Sequence, residues 1–166
     1  LSNIETITGG ALGDVVTLGT SVTGTINLGF GTDTLNLGAF ANTVTVSNVE
    51  TIVGAGGADI VTLATDFSGT IDLAGGTDRL ITSNGSNSIT VQNVETVTGG
   101  SGADTITIGT TAAVVISAGA GDDTIYAGQG ADTFTLGTGS DTLVYSATNQ
   151  SPTGTADTVS DFNVSA

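Results

Sequence analysis

Aspartates in this chain recur at a fixed place behind short glycine-rich segments. The segment Gly99–Thr107 reads Gly-Gly-Ser-Gly-Ala-Asp-Thr-Ile-Thr, so that Asp104 follows three glycines and precedes an alternating stretch. Glycine tolerates positive φ, which lets a tight turn direct its carbonyls inward. Turn carbonyls and one carboxylate per turn together form an oxygen-rich site, which Ca²⁺ prefers more than Mg²⁺ does. The spacing therefore predicts turns that bind calcium.

Eight copies of this nine-residue pattern are in phase along the chain. Three of them run in tandem over 118–126, 127–135 and 136–144 and lack only the first glycine. The first copy, at 9–17, is the least regular, because Leu12 stands where the fourth-position glycine is expected. The predicted ligands are the carboxylates of Asp14, Asp33, Asp59, Asp78, Asp104, Asp123, Asp132 and Asp141, and the backbone carbonyls of Gly29, Gly31, Gly57, Gly76, Gly100, Gly102, Gly119, Gly121, Gly128, Gly130, Gly137 and Gly139.

The complete copy at 99–107 matches the nonapeptide G-G-x-G-x-D-x-U-x, and through it the chain resembles the RTX family of hemolysin-type calcium-binding repeats. The resemblance extends over residues 9–144 and is strongest from residue 99 onward. It implies an all-β fold, a right-handed parallel β-roll or β-solenoid of stacked nonapeptide half-coils. About four to six Ca²⁺ ions would lie between stacked turns, held by Asp carboxylates and turn carbonyls. It also implies export by type I secretion.

A longer repeat of 45 residues contains the nonapeptides, and its marker motif begins at Asn3, Asn48 and Asn93. Within each unit an apolar residue flanked by Thr, Ser or Asn returns about every nine residues, which indicates one turn and one short strand per half-coil. Recurring identical turns favour a parallel solenoid over an antiparallel sandwich, whose turns would vary. The fifteen apolar positions are Val16, Ile26, Leu35, Val44, Ile52, Val61, Ile71, Leu80, Ile89, Val97, Ile106, Ile116, Ile125, Phe134 and Leu143.

The repeat predicts one roll over residues 1–144 and a loop and closing segment over 145–166, within a fragment of a larger protein. Each 45-residue unit holds five half-coils, an odd number, so the sites of successive units alternate between the two sides of the roll. The first side should carry Asp14, Asp33, Asp104, Asp123 and Asp141, and the second side Asp59, Asp78 and Asp132.

Four further acidic residues are candidate ligands. Glu50 and Glu95 follow the preceding acidic turns on their respective sides, where each could complete the last ion of a series. The alternative for both is a solvated polar turn in which the neighbouring Asn caps the backbone. Asp157 and Asp161, in the closing segment, are candidates for a last calcium ion at the end of the roll.

The net charge of −15 arises from sixteen acidic residues against one basic residue, Arg79. Nucleic acid is therefore excluded as a partner, and no apolar stretch is long enough for membrane insertion. Two carboxylates stacked about 4.8 Å apart repel by about 3 to 4 kcal/mol at an effective dielectric of about 20. Several such contacts would consume a folding stability of about 5 to 15 kcal/mol. We therefore expect a largely unfolded metal-free chain that folds as calcium binds.

The favoured function is a calcium-binding structural module of a secreted or cell-surface bacterial protein, such as an S-layer subunit or an adhesin. Neighbouring copies in a lattice or a cell-surface polysaccharide would be further partners. The alternative is the calcium-triggered folding and type I secretion module of an RTX exoenzyme or toxin. A polysaccharide-binding or polysaccharide-modifying β-helix is a remote alternative. We expect no enzymatic activity, because histidine and cysteine are absent, the carboxylates are assigned to turns and Arg79 leaves no acid–base pair.

Overall fold

The computed structural model describes residues 4–147, 150–151 and 156–162. Asn3, where the first 45-residue unit begins, lies outside these residues, as do parts of the closing segment. No helix in the described residues is long and apolar enough to cross a membrane. The strands are β1 (Thr6–Thr8), β2 (Val15–Thr17), β3 (Thr23–Asn27), β4 (Thr34–Gly38), β5 (Thr43–Ser47), β6 (Thr51–Gly54), β7 (Ile60–Leu63), β8 (Ser68–Asp72), β9 (Arg79–Ile81), β10 (Ser88–Gln92), β11 (Thr96–Thr98), β12 (Thr105–Ile108), β13 (Val115–Ser117), β14 (Thr124–Tyr126), β15 (Thr133–Thr135), β16 (Thr142–Val144) and β17 (Thr158–Val159).

The strands form two parallel sheets between which the chain alternates. The odd-numbered strands make a nine-stranded sheet in the order β1 to β17, and the even-numbered strands make an eight-stranded sheet. Each coil therefore adds one strand to each sheet, which is the architecture of a parallel β-solenoid. All fifteen predicted apolar positions lie in β2 to β16, one per strand, so the all-β solenoid prediction is confirmed.

Apolar side chains from the two sheets fill the interior in columns. Because successive side chains of a strand point to opposite faces, the Val, Ile and Leu positions turn inward and most Thr positions turn outward. In the odd-strand sheet, Val61, Leu80, Val97, Ile116 and Phe134 stack on one another through five consecutive strands. All five side chains are fully buried. Stacking of this kind holds each coil in register with the next.

The register shifts by two residues at two places, which the simple apolar count did not anticipate. Between β8 and β10, Ile71 pairs with Val91, and Gly69 takes the place opposite Ile89. The same offset puts Gly24 opposite Val44 between β3 and β5. An even shift keeps every side chain on its own face, whereas a one-residue slip would reverse them all.

Part of the closing segment joins the roll. Strand β17 pairs in parallel with β15, with Thr158 opposite Thr133 and Val159 opposite Phe134. The half-buried Val159 packs on the hydrophobic core. A solenoid end would otherwise expose its core and its last strand edge, so this short strand covers one of the two sheets.

We predict that Ile116→Ala destabilises the roll by about 2 to 5 kcal/mol, because it leaves a cavity in a fully stacked column. Its neighbour Val115 lies on the same strand but is 51% exposed, so Val115→Ala is the matched control and should change stability by less than about 1 kcal/mol. Urea unfolding followed by circular dichroism in saturating calcium measures both. Equal effects of the two substitutions would contradict the inward orientation of Ile116.

Candidate metal centre

The acidic residues line up in two series, one for each sheet. Each member directly precedes a strand, so it sits where a turn ends and the strand begins. The assignment of sides predicted from the half-coil count is the one found in the fold. We call the two series the even ladder, which precedes the even strands, and the odd ladder. The even ladder contains Asp14, Asp33, Glu50, Asn87, Asp104, Asp123 and Asp141, and the odd ladder contains Glu5, Asn42, Asp59, Asp78, Glu95, Asp132 and Asp157.

Beyond the first coil, one carboxylate oxygen of each acidic ladder residue joins two coils. The backbone N–H of Asp104 donates to Oδ1 of Asp123 at 2.8 Å, and that of Asp123 donates to Oδ1 of Asp141 at 3.0 Å. In the odd ladder the N–H of Asp59 donates to Oδ1 of Asp78 at 2.7 Å. Each of these carboxylates thus accepts a bond from the residue at the equivalent position of the preceding coil, and an ionised acceptor strengthens such a bond.

The second carboxylate oxygen is left without a partner in five of these residues. The five side chains are at most 1% exposed. A buried carboxylate oxygen without a hydrogen bond is costly, and buried charges in proteins are normally paired or bound to a metal. The unpaired atoms are Oδ2 of Asp33, Asp59, Asp78, Asp123 and Asp132.

Every one of these five residues has another acidic residue one coil further on. The following ladder members are Glu50, Asp78, Glu95, Asp141 and Asp157, whose carboxylates accept the N–H bonds described above or their equivalents. We call the space between two consecutive coils on one side of the roll a layer. Each unpaired oxygen therefore lies in a layer that already contains a second negative charge. A cation in the layer would satisfy the oxygen and neutralise the repulsion.

Glycine turns bring backbone carbonyls to the same layers. Gly119 has φ +111°, and a Cβ added there would lie 2.1 Å from the carbonyl oxygen of Gly100 in the preceding coil. A Cβ on Gly137 would meet the carbonyl oxygen of Gly119 at 1.8 Å. Only glycine allows turns to stack this closely with their carbonyls between them. The residues present therefore fit calcium, whose ligands are carboxylate and carbonyl oxygens.

The described residues contain no cluster of three or more His, Cys, Asp or Glu side chains that could hold a metal alone. Carboxylates therefore supply only part of a coordination sphere in these turns. Calcium takes about six to eight oxygens, so most of them would be turn carbonyls. The glycine carbonyls named from the sequence remain the predicted donors.

Burial changes the acidity of the ladder. Burial, together with the nearby carboxylates of Asp59 and Glu95, raises the pKa of Asp78 to about 6 against the opposing hydrogen bond from the Asp59 backbone. Burial also raises the pKa of Asp123 and of Asp132. In the absence of a cation, these carboxyl groups are therefore pushed toward their protonated, uncharged form.

Glu50 and Glu95 occupy ladder positions, as their predicted role requires. The N–H of Asp33 donates to Oε2 of Glu50 at 2.7 Å, and the N–H of Asp78 donates to Oε2 of Glu95 at 2.6 Å. The neighbouring Asn48 adopts φ +53°, and its Nδ2 donates to Oδ1 of Asn27 at 2.8 Å. Calcium ligation by the two glutamates remains a prediction.

The three other predicted aspartates differ from the five with unpaired oxygens. Oδ2 of Asp14, a half-buried residue, accepts the N–H of Gly10 at 2.9 Å. Oδ2 of Asp104 accepts the hydroxyl of Thr82 at 3.3 Å. Asp141 is half-buried near the C-terminal end of the roll. These three residues lie in the ladders, but their second oxygens are not among the buried, unpaired atoms.

Asp157 and Asp161 do not come together. Oδ1 of Asp157 accepts the N–H of Asp132 at 2.8 Å, and its Oδ2 accepts the Tyr145 hydroxyl at 2.8 Å. Asp161 lies beyond the other end of β17 and accepts two consecutive backbone N–H groups that begin at Leu136, which lowers its pKa. The two residues contact opposite ends of β15, so they do not serve one shared ion. Asp157 extends the odd ladder and Asp161 caps a turn, and calcium ligation by either residue remains a prediction.

Asn42 and Asn87 are ladder residues that the aspartate pattern did not identify. Both are at most 2% exposed, and both precede a strand in the same way as the aspartates. A signal for them was present in the sequence, because 45 residues separate Asn42 from Asn87 and another 45 separate Asn87 from Asp132.

The fold and its ladders define a parallel β-solenoid whose turns present buried carboxylates and carbonyls to a cation. Residues 92–107 and 115–143 match the family model of the RTX calcium-binding nonapeptide repeat, in four copies. The chain therefore contains RTX calcium-binding repeats, and the resemblance predicted from the sequence is confirmed there. The irregular copies before residue 92 lie outside the match. No curated protein and no solved structure matches the chain.

Acidification should stabilise the metal-free roll between about pH 7 and pH 5. The pKa of Asp78 is raised to about 6 in the folded chain, against about 3.9 for an unfolded Asp. The folded state therefore binds more protons, and the stability from this group is lost as pH rises through about 6. Far-UV circular dichroism of chelator-treated protein should show more β structure at pH 5 than at pH 7.

Asp78→Asn should weaken this pH dependence, and Asp66→Asn, which removes an exposed carboxyl group, should leave it unchanged. With calcium bound the trend should reverse, because protons compete with the ion for the same carboxylate. Metal-free protein that loses β structure on acidification would contradict the burial of uncompensated carboxyl groups.

Proposed function

We propose that this chain is a calcium-binding structural module of a secreted or cell-surface bacterial protein, S-layer or adhesin-like, and that it folds when calcium binds outside the cell. It has no catalytic role in this proposal. The observation that carries the proposal is the set of five buried, unpaired Asp Oδ2 atoms, each with a second acid one coil further on.

The number of ions follows from these layers. One ion per unpaired oxygen gives five sites, between Asp33 and Glu50, Asp59 and Asp78, Asp78 and Glu95, Asp123 and Asp141, and Asp132 and Asp157. The fourth-position glycine carbonyls of the turns, such as those of Gly76 and Gly130, would complete them. Each bound ion supplies positive charge between two negative coils.

Calcium-coupled folding follows from the distribution of charge. The chain has a net charge of −15, and neither ladder contains a basic residue to offset the stacked carboxylates. Extracellular modules bind calcium weakly, with dissociation constants of about 10⁻⁴ to 10⁻³ M, so such sites are empty in the cytosol and filled outside. A chain with these sites would remain unfolded during export and become a stiff rod afterwards.

We expect chelator-treated protein to give a largely disordered far-UV circular dichroism spectrum at pH 7. Calcium titration should convert it cooperatively to a β spectrum, because the ion removes the repulsion between coils. Magnesium at the same concentration should not, since it prefers an octahedral shell and keeps its waters. A β spectrum that chelation leaves unchanged, with no calcium uptake in calorimetry, would refute the proposal.

A second test uses two adjacent aspartates of one turn. Asp123 is buried in the even ladder, whereas Asp122 beside it is exposed, so the alanine variants remove the same charge from different places. Asp123→Ala should lose about one calcium ion per chain, since one of the five proposed sites lies between Asp123 and Asp141. Asp122→Ala should retain the wild-type number in isothermal titration calorimetry. The same loss from both variants would show that charge alone attracts the ions.

A further inference from the structure

Two turns of the roll are completed by an asparagine amide. Nδ2 of Asn42 donates to the carbonyl oxygen of Leu37, near the end of β4, at 3.2 Å and to that of Phe40, in the following turn, at 2.7 Å. It also donates to Oδ1 of Asp59 in the next coil at 2.9 Å. Three oxygens, two carbonyl and one carboxylate, therefore surround a single amide nitrogen. Carbonyl and carboxylate oxygens of this kind are the ligands assigned above to a calcium ion.

The second asparagine repeats the arrangement. Nδ2 of Asn87 donates to the carbonyl oxygens of Ser83 at 3.3 Å and Gly85 at 2.9 Å, and to Oδ1 of Asp104 at 2.9 Å. In both turns the amide donates to the carbonyl two residues before the asparagine and to the aspartate at the equivalent position of the next coil. The recurrence 45 residues apart shows that the contact belongs to the repeat.

The third unit carries an aspartate at this position. Oδ1 of Asp132 accepts the N–H of Val114 at 2.9 Å, as Oδ1 of Asn42 accepts that of Val22 and Oδ1 of Asn87 accepts that of Phe67. The three residues therefore have the same attachment to the coil below. They differ at the second terminal atom, which is a fully bonded NH₂ in the asparagines and a buried, unpaired oxygen in Asp132.

We propose that the turns of Asn42 and Asn87 are stable without metal, because the amide NH₂ takes the place that calcium occupies in the aspartate turns. This inference rests on the proposed calcium-binding function. An amide donates to the surrounding oxygens, whereas a carboxylate at the same place can only repel them unless a cation lies between. Substituting aspartate at these positions creates a calcium site, and substituting asparagine at Asp132 removes one.

The position of the asparagines explains why an amide is required. One coil before each asparagine, the equivalent position holds an apolar residue, Val22 or Phe67, whose N–H needs an acceptor. One coil after it, that position holds an aspartate, Asp59 or Asp104, whose carboxylate needs a donor. Asparagine supplies both from one side chain. The stretches of successive acidic residues that begin at Asp59 and at Asp104 thus each start on a turn that is complete without metal.

Isothermal titration calorimetry with calcium alone, on chelator-stripped protein, tests the inference. Asn87→Asp should raise the number of bound ions by about one per chain and make β structure more sensitive to chelation, because the turn then depends on metal. Asn84→Asp adds the same charge to an exposed side chain of the same turn and should leave the number unchanged. Asp132→Asn should lower the number by about one while the calcium-saturated β spectrum is retained.

The outcomes separate this inference from the proposed function. Wild-type protein that binds no calcium refutes the proposed function, and the inference with it. Wild-type protein that binds calcium, with an Asn87→Asp variant that folds but gains no ion, overturns the inference alone. If Asn87→Asp does not fold in calcium, Asp132→Asn decides, because an unchanged ion count in that variant overturns the inference.

Discussion

The structure depends on what happens to the second oxygen of a buried aspartate. In each ladder the first oxygen accepts a backbone N–H from the coil before it, which fixes the spacing of the two coils. That bond holds the carboxylate below the surface, so the second oxygen loses water and is left among other oxygens. An isolated buried charge is too costly to keep. The aspartate turn must therefore gain a cation or a proton, and the asparagine turn avoids the problem by carrying a donor.

The hydrophobic core and the turns have separate tasks. The stacked Val, Ile, Leu and Phe columns supply burial in every coil, and they are continuous through both 45-residue boundaries. The ladders are discontinuous, because Phe67 interrupts the even series and Val114 the odd series. Stretches of successive acidic residues within a ladder are thus short, and each ends in a glutamate or at the end of the roll. Limiting the length of each run limits the repulsion that any one stretch accumulates.

The odd number of half-coils in the long repeat distributes these runs over both sides of the rod. A unit with an even number would stack all acidic turns of the chain along one side. With five half-coils, the acidic run of the second unit lies opposite those of the first and third. The two sides therefore share the charge, and the asparagine, glutamate and apolar rungs fall between acidic runs on each side.

The sequence by itself determined fifteen of the strands, their alternation between two sheets and the places of the eight motif aspartates in the ladders. These features follow from local periodicity, because the nine-residue repeat and the odd number of half-coils per unit can be read from residues close together in the sequence. Only the tertiary structure decided which oxygen of Asp123 or Asp132 is bonded and which is left unpaired, and that the amides of Asn42 and Asn87 fill their turns. It also decided the two-residue offsets at Gly24 and Gly69 and the separation of Asp157 from Asp161. Those features depend on contacts between residues about 17 to 25 positions apart. Such contacts arise only when coils stack, and the stacking distance and the direction of each turn carbonyl are not encoded in any single nonapeptide.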